Sequence, residues 1–319
     1  MRTAFITGIT GQDGSFLAEQ LVQDGWRVVG LVRRSASRNL WRLEHILDRI
    51  TLVDGDLLDI GSMVDAIRNC KPDHVYNLAA QSFVATSWRQ PLLTGDVTAL
   101  GTGRLLEAVR IAHPTAKVYQ AGSSEMFGLS SDAQQNEDTP FHPRSPYGVA
   151  KVYAHHLAIN YRESHNMFVV GGILFNHESE RRGVEFVTRK ISQTVARIRF
   201  GKQQKIKLGD ISVHRDWGFA GDYTRAMTLM LNQEEPNDYV IATGQNWSVK
   251  CFAERAFAAA GLNFEKHLEH DPDLIRPAEI PTLCGDASRA KTDLGWEPEC
   301  TFDQLVERMV AADLEREAH

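Results

Sequence analysis

The stretch that most limits what this chain can fold into is TAFITGITGQDGSFLAEQL, residues 3–21. A β-branched apolar run ends in three spaced glycines, Gly8, Gly11 and Gly14, and apolar residues then recur at intervals of three and four. Glycine at these points permits a tight strand-to-helix turn. It also lets an anion approach the helix N-terminus, where unpaired backbone N–H groups favour negative charge. The glycine spacing alone is a weak signal. Placed after a strand and at the head of an amphipathic helix, it reads as a dinucleotide fingerprint, with Thr10, Gln12 and Asp13 completing the loop.

The same unit repeats through the first half. WRVVGLV, ITLVDGD, DHVYNLAA, AKVYQAGSS and MFVVGGILF are further strand candidates, separated by helical patterns such as TGRLLEAVRIAH. Apolar strands alternating with helices predict an α/β fold, a doubly wound parallel sheet of Rossmann type covered on both faces. Beyond about residue 175 the alternation breaks into longer loops, Arg- and Pro-rich turns and scattered helices. RDWGFAGDYTRAMTLML and DYVIATG look like a helix and a strand returning to the sheet. We therefore expect a dinucleotide-binding domain over residues 1–175, rejoined by 216–243, and a smaller interleaved substrate-binding region over 176–319. The 319 residues suffice for either one elaborated domain or two.

Composition narrows the function classes. A net charge of −6 argues against a general nucleic-acid surface. The longest apolar run, FVVGGILF, is too short to span a bilayer. Cys70, Cys251, Cys284 and Cys300 are scattered without metal-ligand spacing, as are the histidines, so reduced thiols, a cytoplasmic setting and no metal centre are expected.

At the cofactor end, the second strand runs into LVRRSASR. An NAD site usually offers an acid here to the ribose hydroxyls; Arg33 and Arg34 instead suit the 2′-phosphate of NADP. Asp56 and Leu57, after the third strand, fall near the expected adenine position, and Leu78, Ala79, Ala80 and Ser82 bring the end of the fourth strand against the cofactor.

At the chemical end, Tyr147 and Lys151 lie one helical turn apart and share a face. An ammonium beside a phenol favours the phenolate, so the expectation is a Tyr147 pKa lowered from about 10 toward neutrality. Such a group can take the proton of a substrate hydroxyl while hydride leaves for a nicotinamide. Upstream, AGSSEMFG ends a strand with Ser123, Ser124 and then a carboxylate, Glu125. Here the chain resembles the extended short-chain dehydrogenases/reductases, whose catalytic set is Ser or Thr, Tyr and Lys.

Within that group, AAQSFVATSW, SSEMFG, TPFHPRSPYGVAK, GILFNHESERRG, FVTRKI, RDWGFAGDY and RPAE resemble the GDP-mannose 4,6-dehydratase family across essentially the whole chain. The resemblance implies that Ser123, Glu125, Tyr147 and Lys151 carry catalysis, and that His177 and Arg182 touch NADP. It places Ser82, Asn176, Glu185, Lys190, Arg215 and Arg276 on the GDP-sugar, with the basic residues suited to clamp two phosphates. Two positions depart from the family's usual pattern. Ser123 stands where Thr is usual, which keeps the hydroxyl, and Glu180 stands where Pro is usual, which bears on the rigidity of its loop. The family's activity gives Glu125 a purpose: a simple dehydrogenase needs no second acid–base group, whereas an elimination does. The implied substrate is GDP-mannose or a close GDP-sugar, and the implied assembly a homodimer or homotetramer. Rival readings are a GDP-4-keto-6-deoxymannose reductase, the same dehydration on a GDP-heptose, and a non-catalytic NADP sensor on the same fold.

Overall fold

Thr3–Thr7 forms β1, whose five residues are all buried, because an apolar β-branched run covered on both faces is stable as an interior parallel strand. The computed structural model describes residues 1–275 and 277–318. Further strands follow at Arg27–Val32 (β2), Ile50–Asp54 (β3), His74–Asn77 (β4), Lys117–Ala121 (β5) and Val169–Leu174 (β6). A seventh, Asp238–Ile241, pairs with β6 in parallel, Asp238 opposite Gly171 and Ile241 opposite Leu174. From that edge the sheet order is Asp238–Ile241, β6, β5, β4, β1, β2, β3, with all pairs parallel. Strand order reverses between β1 and β4, which opens a crevice beyond their C-terminal ends.

One face of the sheet is covered by α1 (Gln12–Gln23) and the helix Ala220–Leu231, through Leu17, Leu21, Tyr223 and Met227. The other is covered by Ile60–Cys70, Gly101–Ala112 and Pro146–His165, through Met63, Ile67, Leu105, Val109 and Ala158. The doubly wound reading holds; the returning helix is confined to Ala220–Leu231, because Trp217–Phe219 is a strand that pairs away from the main sheet with Asn176–Glu178.

A separate apolar cluster binds the helices Val187–Arg199, Val249–Ala259 and Phe302–Glu317 around Trp217, Phe252, Phe257 and Phe302. Its link to the sheet is short. Asn176–Glu178 follows β6 directly and pairs in parallel with Trp217–Phe219. Asp216, just before that partner strand, is fully buried. Its carboxylate accepts from the backbone N–H groups of Thr243, Gly244 and Gly285 and from the Thr243 hydroxyl; burial nevertheless outweighs these four donors and raises the group to about 6.

Candidate active site

The crevice at the strand reversal widens into a cavity of about 790 Å3. Its wall includes Gly8, Gly11, Gln12, Asp13, Gly14, Leu78, Ala80 and Ser82 at one end. Ser123, Glu125, Tyr147 and Lys151 lie beside them, and Asn176, His177, Arg182, Glu185, Lys190 and Arg215 continue the wall. Of the remaining residues singled out from the sequence, Thr10, Arg33, Arg34, Asp56, Leu57 and Ala79 are not part of this wall, and Arg276 lies outside the described residues.

The glycine turn is shaped by contact. Gly8 has φ +71, and a Cβ there would sit 2.8 Å from the Ala79 nitrogen. A Cβ on Gly14 would sit 2.3 Å from the Gly8 carbonyl oxygen, so any side chain would force α1 off the turn. Gly11 caps α1 without a side-chain hydrogen bond, which leaves the first N–H groups of the helix uncapped at residues that line the cavity. This cradle fits a pyrophosphate. Arg33 and Arg34 are exposed just beyond β2, Asp56 receives the Leu58 N–H at 3.0 Å, and Leu57 is buried in the core beneath.

Asp13 and His177 join the turn to the strand after β6, with Oδ2 to Nε2 at 2.9 Å. Nδ1 of His177 lies 2.7 Å from the Phe175 carbonyl, and its ring stacks on Tyr223. Burial works against the Asp13 carboxylate, but the His177 charge and hydrogen bond outweigh it, with Gln12 and Arg182 behind them, and hold the group at about 2. Burial likewise opposes the imidazolium, yet Asp13 raises His177 above its ordinary value. Gln12 adds two further links, donating to the His177 carbonyl at 3.0 Å and accepting from the Ser179 hydroxyl at 2.8 Å.

The helix Pro146–His165 presents Tyr147 and Lys151 because its start is set by Ser145, whose hydroxyl accepts from Gly148 N–H, with Pro146 in the first turn. Ser145 also reaches Glu125 Oε2 at 3.5 Å, a contact that sequence reading missed although the Ser-Pro helix start marks it. Glu279, in the RPAE stretch, was likewise missed and pairs with Arg215 at 2.9 Å. Arg215 is buried and also donates to the His214 and Ile280 carbonyls, so its guanidinium is held rigidly at the wall. Lys190 is half-buried, and burial lowers its pKa.

One expectation is overturned. Burial pushes the Tyr147 phenol up to about 12; Glu125 and Asp13 act in the same direction, against a hydrogen bond with Ser123 and the charge of Arg182. Lys151 does not lower it because the ammonium is directed elsewhere. Its Nζ donates to the Ala121 carbonyl at 2.7 Å and lies 5.8 Å from the Tyr147 ring centroid. Burial brings Lys151 itself down to about 8. The loop bearing Glu180, whose rigidity the missing proline put in question, has a bidentate ion pair. The Glu180 carboxylate accepts from Arg308 Nε at 2.8 Å and Nη2 at 2.9 Å, tying the loop to the last helix.

A phenol, an ammonium, a hydroxyl and a carboxylate on one wall, next to an anion cradle, can move protons beside a bound dinucleotide. Comparison with known proteins agrees with this geometry. A family model described as "GDP-mannose 4,6 dehydratase" matches residues 5–309. "GDP-mannose 4,6 dehydratase 1" of Arabidopsis thaliana is 51% identical over 98% of this chain and 90% of its own length. A second protein of that plant, "GDP-mannose 4,6 dehydratase 2", is 52% identical over 98% and 87%. Among solved structures, the dTDP-glucose 4,6-dehydratase DesIV of Streptomyces venezuelae, with NAD and TYD bound, superposes with a TM-score of 0.89 at 21% identity, covering 99% of this chain and 98% of its own. That likeness speaks to the fold, whereas the near full-length matches speak to descent: the chain belongs to the GDP-mannose 4,6-dehydratase family.

Proposed function

We infer that the protein converts GDP-mannose to GDP-4-keto-6-deoxymannose and water, with NADP as its resident cofactor. The observation that carries this reading is Glu125, a carboxylate on the same cavity wall as Tyr147, Lys151 and Ser123. Oxidation of an alcohol requires one proton acceptor; removal of water from the neighbouring carbons requires a second acid–base group.

The residues assigned to NADP are Gly8, Thr10, Gly11, Gln12, Asp13 and Gly14 of the glycine turn, Asp56, Leu57, Leu78, Ala79, Ala80, Ser82, Tyr147, Lys151, His177 and Arg182, with Arg33 and Arg34 for the 2′-phosphate. The phosphate assignment is supported by two exposed guanidiniums at the end of β2, where an acid would serve NAD. When bound, NADP supplies hydride acceptance and return, so that it is regenerated within each cycle. Tyr147, once ionised against the burial that raises its phenol, takes the proton of the carbon 4 hydroxyl, aided by the Ser123 hydroxyl, and carbon 4 becomes a ketone. The hydrogen on carbon 5 is then acidic. Glu125 removes it and gives a proton to the carbon 6 oxygen, which departs as water. Glu125 afterwards delivers a solvent proton to carbon 5, while Tyr147 releases the one it holds.

Asn176, Glu185, Lys190, Arg215 and Arg276 are assigned with Ser82 to the GDP-sugar. Residues 1–175 and 216–243 then serve the cofactor, and the rest of 176–319 the substrate, a division supported by the separate apolar cluster around Phe252, Phe257 and Phe302, to which the returning segment contributes Trp217. A homodimer or homotetramer is favoured by exposed Leu92, Leu100, Val149 and Tyr153 around an open apolar hollow of about 800 Å3. A cytoplasmic setting is favoured by four cysteines that are all unpaired.

Hydride tracing tests the reading. GDP-mannose deuterated at carbon 4 is expected to yield product deuterated at carbon 6, with no added NADPH consumed. Label appearing in free NADPH, or no 4-keto product, overturns it.

A further inference from the structure

Residues Glu180, Arg181 and Arg182 link the strand Asn176–Glu178 to the helix Val187–Arg199, and all three of their backbone carbonyls accept guanidinium hydrogen bonds. The Glu180 carbonyl accepts from Arg189 Nη1 at 3.2 Å and from Arg316 Nη1 at 2.9 Å. The Arg182 carbonyl accepts from Arg189 Nη1 at 3.1 Å. The middle carbonyl, of Arg181, accepts from Arg42 Nε at 2.6 Å. Arg189 and Arg316 belong to helices of the second half. Arg42 comes from the segment after β2 that begins with Arg33 and Arg34.

Arg42 has a second contact. Its Nη1 donates to the Thr10 carbonyl, in the glycine turn, at 3.3 Å. One half-buried guanidinium therefore joins the glycine turn, the segment after β2 and the loop that carries Arg182. The group is planar and its donors are fixed in relation to one another, so it sets the separation of the two carbonyls as a flexible ammonium would not. The Trp41 ring restrains it further, with the Arg42 guanidinium carbon 4.4 Å and that of Arg316 5.4 Å from its centroid. Arg42 is not part of the cavity wall.

We propose that Arg42 is a positioning residue for the dinucleotide: by tying Thr10 to Arg181 it holds the glycine turn and Arg182 at the spacing the bound cofactor requires. This rests on the reading that the cavity takes a nicotinamide dinucleotide. Arg182 is well placed to be set in this way, since its guanidinium lies at the cavity 3.6 Å from the Phe186 ring centroid and 3.1 Å from Glu178 Oε2. A device acting on the turn and Arg182 bears on parts common to NADP and NAD. It does not discriminate between them as a direct 2′-phosphate ligand would.

The test titrates NADP and NAD separately against the parent, Arg42→Met and Arg42→Lys, following tryptophan fluorescence. Amide hydrogen exchange over residues 179–186 is measured alongside without added cofactor. Arg42→Met is expected to weaken both dinucleotides about tenfold, the scale of one lost charge-assisted hydrogen bond, with the NADP/NAD ratio unchanged and faster exchange in 179–186. Arg42→Lys, which can reach one carbonyl, falls between; if the Met variant does not fold, Lys and Arg42→Gln carry the same comparison. Loss confined to NADP would make Arg42 a direct phosphate ligand and overturn the proposal. Unchanged affinity for both, or unchanged exchange in the loop, would also overturn it. A parent that binds neither dinucleotide would take down the cofactor reading itself, and this role with it, whatever the variants do.

Discussion

Oδ2 of Asp13 lies 2.9 Å from Nε2 of His177, so a residue of the first helical turn is bonded to the strand that leaves the sheet after β6. This contact is structural and electrostatic at once: it closes the cavity behind the glycine turn and sets the charge of both partners.

Its pH dependence follows from the two shifts. The Asp13 carboxyl, at about 2 in the folded chain against 3.8, stabilises the fold above 3.8, and that contribution is lost as pH falls toward 2. His177, raised above 6.5, stabilises below 6.5, and its contribution is lost as pH rises through the folded value. The pair therefore contributes most between about pH 4 and 6.5, on the order of 2 kcal/mol. Thermal unfolding of the parent and of Asp13→Asn from pH 3 to 9 should show the largest gap in that window; a gap independent of pH would remove the ion pair as its source.

Glu125→Gln is expected to bind GDP-mannose yet lose product formation by about 10²–10⁴, since an amide cannot accept the carbon 5 proton. Tyr147→Phe should stop earlier. Reduced-cofactor absorbance on adding substrate should still rise in the Gln variant and be missing in the Phe variant. Product at more than half the parent rate in the first, or a full absorbance rise in the second, would reassign that residue.

Replacing Arg33 and Arg34 together with Ser should weaken NADP by about 1–3 kcal/mol and leave NAD nearly unaffected. Binding of each cofactor, measured by calorimetry, decides the matter. Equal weakening of both would return the two arginines to the role of a solvated loop.

Arg189 and Asp313 form an ion pair with both side chains buried, Nε to Oδ2 at 2.8 Å, and Ser192 donates to the same oxygen at 2.7 Å. Asp313→Ala leaves a buried guanidinium without its counter-charge, and urea unfolding should register a loss of about 3–5 kcal/mol. The double replacement Arg189→Met with Asp313→Leu should recover much of that loss. A double variant no more stable than Asp313→Ala would show that packing, not unpaired charge, sets the cost.

What the chain determined by itself is what depends on near neighbours. Strand and helix periods are written over a few residues, so β1 to β6, the glycine turn and the returning strand Asp238–Ile241 are legible before any contact is known. That Ser123, Glu125, Tyr147 and Lys151 share one wall is legible for a related reason: each sits at a strand end or on one helical face, where local geometry settles its direction. The tertiary structure decided what depends on burial and on partners remote in sequence. Asp13 meets His177 across 164 residues, Arg42 meets Arg181 across 139, and Glu180 finds Arg308 across 128. The sign of the Tyr147 shift was decided there too. A spacing of one helical turn states that an ammonium is near a phenol, but not that the ammonium is drawn to the Ala121 carbonyl while the surrounding core desolvates the phenolate. Periodicity is a property of the chain; desolvation is a property of everything packed around it.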